Sequence, residues 1–376
     1  RSNNRLSIFY RQLISSRSLM QLNHYDTPCL WVDLDIMESN IQHLAVYFKS
    51  RGLEWRPHTK GIKIPEIAKL AINAGAFGVT CAKLSEAELM TAAGVQNILI
   101  ANQVVGEQKI ERLCQLSRFN EIIVAVDHLE TVQLMNQIAE KFAVTLNVLL
   151  EVNTGMNRAG LDPGQPVLDF YRAISELKFI QNRGLMAWEG HTATIADPDE
   201  KVRSISASME KLSATVSLCR EHGILIEIIS GGGSGTYTIS SNFKLLTEIQ
   251  AGGVIFTDVA YSKWGAETQP SLFLRSLVTS RPSPKRIITD TGWKTLPGWS
   301  VAPKPLGVDA VGSVSFSSEH GVIHLTKENT SLRPGDPLDY MVGYGDNTVF
   351  LHERLYGVRN GEVETIWEVR GRGRYT

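Results

Sequence analysis

The 376-residue sequence predicts an α/β protein: a parallel β/α (TIM-type) barrel followed by a C-terminal, mainly antiparallel β domain. Three observations carry this expectation. Between Asp26 and about Tyr261, short apolar runs alternate with amphipathic helical patterns, an order that builds a parallel sheet covered by helices. No Gly-x-Gly-x-x-Gly turn follows the first apolar run, where an open doubly wound sheet would be expected to carry one. After about Ala266, prolines and glycines crowd in, and the pieces between them are short and β-like, the texture of an antiparallel sheet rich in turns. Residues 24–265 are expected to form the barrel and 266–376 the β domain, with 1–23 an N-terminal arm that joins the β domain.

In chain order, 27–35 reads as the first strand, 37–51 as a helix and 53–57 as a second strand that ends at Pro57. Lys60 then falls just past a strand's C-terminal end, the face on which parallel barrels place their chemistry. Residues 77–81 form the next strand. A helix begins at Ser85, read as a serine cap with the early carboxylates Glu86 and Glu88 that helix N-termini favour. Strands are expected at 97–101, 121–126, 145–152, 180–185 (running into Met186-Ala187-Trp188) and 224–229, with 253–256 as the last. In the β domain, 286–289, 322–325, 354–358 and 363–367 have strand character.

Composition narrows the function classes. A formal net charge of −1 gives no global field toward nucleic acid or membrane, and no apolar run reaches transmembrane length. The four cysteines, Cys29, Cys81, Cys114 and Cys219, are far apart and form no Cys-x-x-Cys pair. Neither a zinc site nor a disulfide framework is indicated, and reduced, buried thiols in a cytoplasmic setting are expected. Residues 1–23 carry Arg1, Arg5, Arg11 and Arg17 with serines and no acid. That composition suits a targeting segment, but no clean cleavage signal accompanies it, and an ordinary arm is the expectation.

Several residues have the chemistry of a site. A lysine at a barrel mouth, walled by apolar strands, loses its proton more easily than a solvated one, and a neutral amine forms a Schiff base with an aldehyde. Lys60 and Lys63 both qualify by position. Ser230-Gly231-Gly232-Gly233-Ser234-Gly235-Thr236 follows a strand late in the barrel, and bare glycine amides with hydroxyls beside them suit a phosphate. Arg158 lies in the loop after the strand that ends at Glu151-Val152. His191 follows the strand that leads to Trp188 and has the side chain for proton transfer near neutrality.

Together these segments resemble a known family. Thr-Pro-Cys-Leu-x-Val-Asp-Leu-Asp at 27–35, followed by Arg-Pro-His-x-Lys at 56–60, is similar to the pyridoxal-phosphate enzymes of the alanine-racemase-like barrel fold, in the D-threonine aldolase and D-serine dehydratase branch. The glycine turn at 230–236, Gly-x-x-Arg-x-Gly at 155–160, Glu-x-Gln-x-Gly at 248–252 and Asp-x-x-Tyr at 258–261 extend the likeness. So do Asp-Thr-Gly-Trp-Lys at 290–294 and Ser-Glu-His-Gly at 318–321. The resemblance implies that Lys60, rather than Lys63, carries pyridoxal 5'-phosphate. It further implies that His58, Arg158, Trp188 and Tyr261 contact the cofactor and that Ser230, Gly232, Gly233, Ser234, Gly235 and Thr236 hold its phosphate. His191 is then the catalytic base, and Glu319 and His320 lie on the substrate side.

Two positions depart from the family pattern. Trp188 stands where a tyrosine is usual, and Tyr344 where a metal-binding histidine is expected, with Asp346 kept as a metal ligand. A divalent cation, magnesium or manganese, suits the remaining oxygens better than zinc. The implied activity is a lyase on D-3-hydroxy amino acids, most like D-threonine aldolase, which gives glycine and an aldehyde. The alternatives are a D-serine or D-3-hydroxyaspartate dehydratase, which gives a 2-oxo acid and ammonia, an amino-acid racemase, or a pyridoxal-phosphate-binding protein without turnover. The implied partners are a small-molecule D-amino acid and, in a homodimer, a second copy of the chain.

Overall fold

The structure is a computed structural model and describes residues 20–298 and 300–376; most of the expected N-terminal arm, residues 1–19, lies outside the described residues. Eight parallel strands form one sheet: β1 (Glu54–Trp55), β2 (Val79–Cys81), β3 (Ile98–Gln103), β4 (Ile122–Val126), β5 (Leu146–Glu151), β6 (Ile180–Met186), β7 (Ile228–Gly231) and β8 (Glu248–Ile249). Neighbours follow chain order, and β8 returns to pair with β1. The ring closes between β1 and β2. There Phe77 N donates to Trp55 O at 2.8 Å, Thr80 N donates to Pro57 O at 2.9 Å, and His58 bridges Thr80. A parallel β/α barrel results, as expected.

Local chemistry accounts for the elements. β4 (Ile-Ile-Val-Ala-Val) is buried at every position, the continuous apolar run of a strand covered on both faces. Helices follow the strands on the outside, and their starts are marked by familiar residues. Helix Pro198–Glu221 begins with proline and is capped by Asp197, which accepts from Glu200 N at 2.7 Å. The barrel interior holds Leu99, Ile123, Ala125, Leu149 and Met186, while Arg56 and Glu248 form a buried ion pair at 3.1 Å. All four cysteines are buried and unpaired. Among the described residues no helix is long and apolar enough to cross a membrane.

Three elements differ from the sequence reading. Cys29–Asp33 is not the first barrel strand. It lies in the second sheet, antiparallel to Leu272–Ser283 and parallel to Arg354–Arg359. Its last residue then caps helix Leu34–Ser50, with Asp33 Oδ1 accepting from Ile36 N at 3.0 Å. Residues 253–256 are not a strand: Gly253–Ile255 is a 3-10 turn, and β8 ends the barrel earlier, at Ile249. Ser85 is not a cap, because helix Leu84–Ala92 starts before it and the Ser85 hydroxyl has no hydrogen-bond partner. The neighbouring Glu86 reaches back instead and accepts from Ala82 N at 2.9 Å.

Among the described residues the second sheet has ten strands, antiparallel in every pair but one. Met20–Gln21 pairs with Glu362–Glu368 at its edge. One loop of this sheet lies on the barrel mouth: Val259 N donates to Val342 O at 3.1 Å, and Ala260 N donates to Gly343 O at 2.9 Å. That seam sets the position of the site described next.

Candidate active site

The C-terminal ends of the barrel strands open into a cavity of about 440 Å³, and Lys60, Trp188, Arg158, the turn from Gly232 to Gly235, Tyr261 and Asp346 are among its walls. Lys60 rides on the 3-10 turn Thr59–Gly61, directly after β1. Its amide donates to His58 Nδ1 at 3.4 Å, and burial, together with the cations of Lys60 and Lys63, holds the His58 imidazole well below the usual histidine range. His58 is therefore a neutral group beside the amine. Lys60 is not walled by apolar strands, as the sequence reading expected. Its ammonium faces Asp346 Oδ2 at 3.5 Å and the Trp188 ring at 5.3 Å from the centroid.

Lys63, the rival lysine, is committed elsewhere. It is 4% exposed, and its Nζ lies 3.8 Å from Oε2 of the fully buried Glu86. Thr59 Oγ1 donates to the other Glu86 oxygen at 2.7 Å. One buried carboxylate thus holds the turn from beneath and occupies one lysine, while the second lysine faces the cavity.

Across the cavity, the turn after β7 brings Gly232, Gly233, Ser234 and Gly235 to the wall. Glycine is required here by close approach. A Cβ on Gly233 would lie 2.6 Å from Trp188 Nε1, and one on Gly253 would overlap the Tyr261 hydroxyl. Ser234 Oγ accepts from Val254 N at 3.3 Å. The two ends of the motif point away from the cavity. Ser230 is fully buried and accepts from Gln250 Nε2 at 2.8 Å, and Thr236 is buried behind the turn, where its hydroxyl donates to Glu189 at 2.6 Å. Trp188 lies between two cations, with Arg158 5.2 Å from its centroid.

Asp346 completes the mouth. Tyr261 donates to its Oδ1 at 3.0 Å and Tyr344 to its Oδ2 at 3.2 Å. Burial, then the Asp346 charge, pushes both phenols up, so they remain neutral donors. A lone carboxylate engaged by two neutral phenols and an ammonium does not fit a divalent cation, which needs several anionic or carbonyl oxygens free to turn toward it. Among the described residues no group of three or more His, Cys, Asp or Glu side chains gathers to supply them. The expectation of a magnesium or manganese site at Asp346 therefore finds no donor set.

Besides Ser230 and Thr236, three expected site residues stand outside this cavity. His191 is exposed at its rim, between the lining residues Gly190 and Ala193, with its ring against Gly155. Glu319 pairs with Lys294 at 2.6 Å on the surface of the β domain, and the neighbouring His320 is exposed there. One further group, Glu151, went unnoticed in the sequence, and so did the seam contact of Asp258. Glu151, at the end of β5, lines the cavity, accepts from Gln103 Nε2 and lies 3.9 Å from Arg158; burial raises its pKa. Asp258 bridges the seam, accepting from Tyr261 N at 2.9 Å and Gly345 N at 2.6 Å. A carboxylate at the C-terminal end of a barrel strand was a signal for Glu151; Asp258 was marked by the Asp-x-x-Tyr match at 258–261, but its contact with Gly345 spans 87 residues and left no signal.

Comparison with known proteins places the chain. The family described as "Alanine racemase, N-terminal domain" matches residues 32–259, and a "Putative serine dehydratase domain" matches 271–358. The chain is 32% identical to a D-threonine aldolase of an Arthrobacter species and 30% identical to a 3-hydroxy-D-aspartate aldolase of Paracoccus denitrificans, each match covering 94% of both chains. A crystal structure of D-threonine aldolase from Filomicrobium marinum superimposes with a TM-score of 0.92 at 32% identity, covering 95% of this chain and 98% of that one. The chain belongs to the alanine-racemase-like family of barrel enzymes.

Proposed function

We propose that this member of the alanine-racemase-like family is a pyridoxal 5'-phosphate-dependent lyase that cleaves D-3-hydroxy amino acids between Cα and Cβ, giving glycine and an aldehyde. The observation that carries the reading is that the Lys60 amine and the Gly232–Gly235 turn face one cavity, in a chain that matches two aldolases over 94% of its length.

The donor set suits the cofactor. Lys60 Nζ would hold the aldehyde carbon, and the glycine turn with Ser234 would take the phosphate. Trp188 offers an aromatic face for the ring, and Arg158 a cation beside it. When bound, the cofactor supplies a sink for the electron pair left on Cα. The chain's own side chains do the rest. Lys60 would hold the cofactor until a substrate amine took its place, and its own amine would then stand next to Asp346. His58, kept neutral, adds no further charge at that point. His191, at the rim, takes the proton of the β-hydroxyl as the Cα–Cβ bond opens and the aldehyde leaves, a proton is returned to Cα to give glycine, and Tyr261 and Tyr344 hold Asp346 in place. No step requires a cation.

Residues 266–376 close the mouth through Tyr344 and Asp346. Glu319 and His320, outside their own chain's cavity, are assigned to the substrate side of a second copy in a homodimer. The test is to incubate the chain with D-threonine, D-3-hydroxyaspartate and D-serine, assaying aldehyde, ammonia and 2-oxo acid separately. Aldehyde and glycine are expected in equal amounts. Ammonia with a 2-oxo acid would make the chain a dehydratase, and no turnover of any of the three would remove the reading.

A further inference from the structure

Glu189 is fully buried behind the glycine turn, and the reaction proposed above makes no use of it. Its Oε1 accepts from the hydroxyls of both Thr236, at 2.6 Å, and Ser240. Its Oε2 is buried with no hydrogen-bond partner among the described residues. Burying a carboxylate in this way opposes folding, and a buried polar atom without a partner calls for a reason other than stability.

The direction of the hydrogen bonds supplies one. Both hydroxyls donate to the same Glu189 oxygen, so both point their protons at Glu189. Thr236 Oγ1 is then left with lone pairs alone toward the turn, and the Gly233 amide donates to it at 3.0 Å. Turned away from Glu189, the proton would have only the Gly233 carbonyl, at 3.4 Å, to donate to, and would pull on the same turn from a different direction. From the cavity side the preceding residue, Trp188, presses on the same glycine, with its Nε1 2.6 Å from where a Cβ would stand. Two adjacent residues therefore clamp Gly233 from opposite sides.

We infer that Glu189 is a positioning residue that fixes the shape of the Gly232–Gly235 turn for the phosphate of the cofactor, acting through Thr236 and touching no reacting atom. The inference rests on the reading that this cavity takes pyridoxal phosphate. Its particular claim is that the effect of Glu189 depends on the phosphate: pyridoxal, which has the same ring and aldehyde but no phosphate, does not engage the turn.

The experiment titrates the full chain, freed of cofactor, with pyridoxal phosphate and with pyridoxal, following the absorption of the Schiff base. Glu189→Ala is expected to weaken pyridoxal phosphate binding about tenfold to a hundredfold, the range for leaving a buried hydrogen-bonding group unpaired. Pyridoxal binding should stay within about twofold, a change worth less than about 0.5 kcal/mol. Glu189→Gln, which keeps an acceptor oxygen for the two hydroxyls, should retain phosphate selectivity within about threefold, under about 1 kcal/mol. Ser240→Ala removes one of the two donors without touching the turn and gives the same pattern at smaller amplitude, so the inference stays testable if the alanine variant at 189 does not fold. Equal loss for both aldehydes, no loss for either, or a glutamine variant as weak as the alanine variant would overturn it. A parent chain that binds neither aldehyde fails the functional reading instead, and the two failures are distinct.

Discussion

The two sides of the cavity are built by different means. The side proposed for the cofactor comes from strand ends of one closed barrel: Lys60 after β1, Trp188 after β6 and the glycine turn after β7. Each side chain is placed by a short segment anchored in the sheet, and those segments converge in a single chain. On the side proposed for the substrate, Tyr344 and Asp346 arrive from the second sheet across a seam of backbone hydrogen bonds, His191 stands at the rim, and Glu319 and His320 stay on the surface. A barrel fixes what is attached to its strand ends; whatever must be brought from another layer depends on one loop being seated correctly.

The sharpest way to break this contrast is at Lys60. Lys60→Ala should abolish the visible absorption of bound pyridoxal phosphate and all turnover, with the fold intact. Lys63→Ala should instead destabilise the chain by about 3–5 kcal/mol, because it leaves Glu86 buried without its cation, while the folded fraction keeps its absorption. If Lys63→Ala loses the absorption and Lys60→Ala keeps it, the assignment is reversed.

The seam offers the next test. Burial raises Asp258 from 3.8 to about 7, so between these values the folded chain holds a proton that the unfolded chain has released. The stability associated with this group is fully present below about pH 4 and is lost as pH rises through about 7, with a slope of at most about 1.4 kcal/mol per pH unit. Urea unfolding from pH 4 to 8 measures it. Asp258→Asn should flatten that part of the profile, and an unaltered profile would show that Asp258 does not titrate in this range.

The smallest effect is expected at Glu319. Its ion pair with Lys294 is more than half exposed, so Glu319→Ala should cost less than about 1 kcal/mol of stability. If a second copy uses it, kcat/KM falls about tenfold, equivalent to about 1.4 kcal/mol, with the cofactor absorption unchanged. An unchanged kcat/KM would remove Glu319 from the substrate side.

The same contrast governs what could be read from the sequence. The barrel was legible because strand and helix periods alternate locally, and the glycine turn and Lys60 because their motifs are contiguous. Cys29–Asp33 was misassigned because a short, mostly apolar run does not say which sheet will pair with it; its partners lie at Leu272–Ser283 and Arg354–Arg359. Residues 253–256 looked like a strand because they are apolar, but a Cβ on Gly252 would collide with the His58 backbone, and that tight approach bends the segment into a turn. Glu189 was missed because it works through Thr236, 47 positions away, and Asp258 was seen only as part of a contiguous motif because its partner Gly345 lies 87 positions away.

Cys29–Asp33 has a further consequence. The sheet it belongs to takes one of its central strands from ahead of the barrel and both of that strand's neighbours from behind it. During synthesis this early strand leaves the ribosome some 240 residues before Leu272, its first neighbour, exists. The barrel can close in the meantime, but the strand must wait with both edges bare, exposed to pairing with other chains. Cutting the gene near residue 265 would therefore not yield two modules: the first fragment would keep a strand with no sheet, and the second a sheet with a gap at its centre.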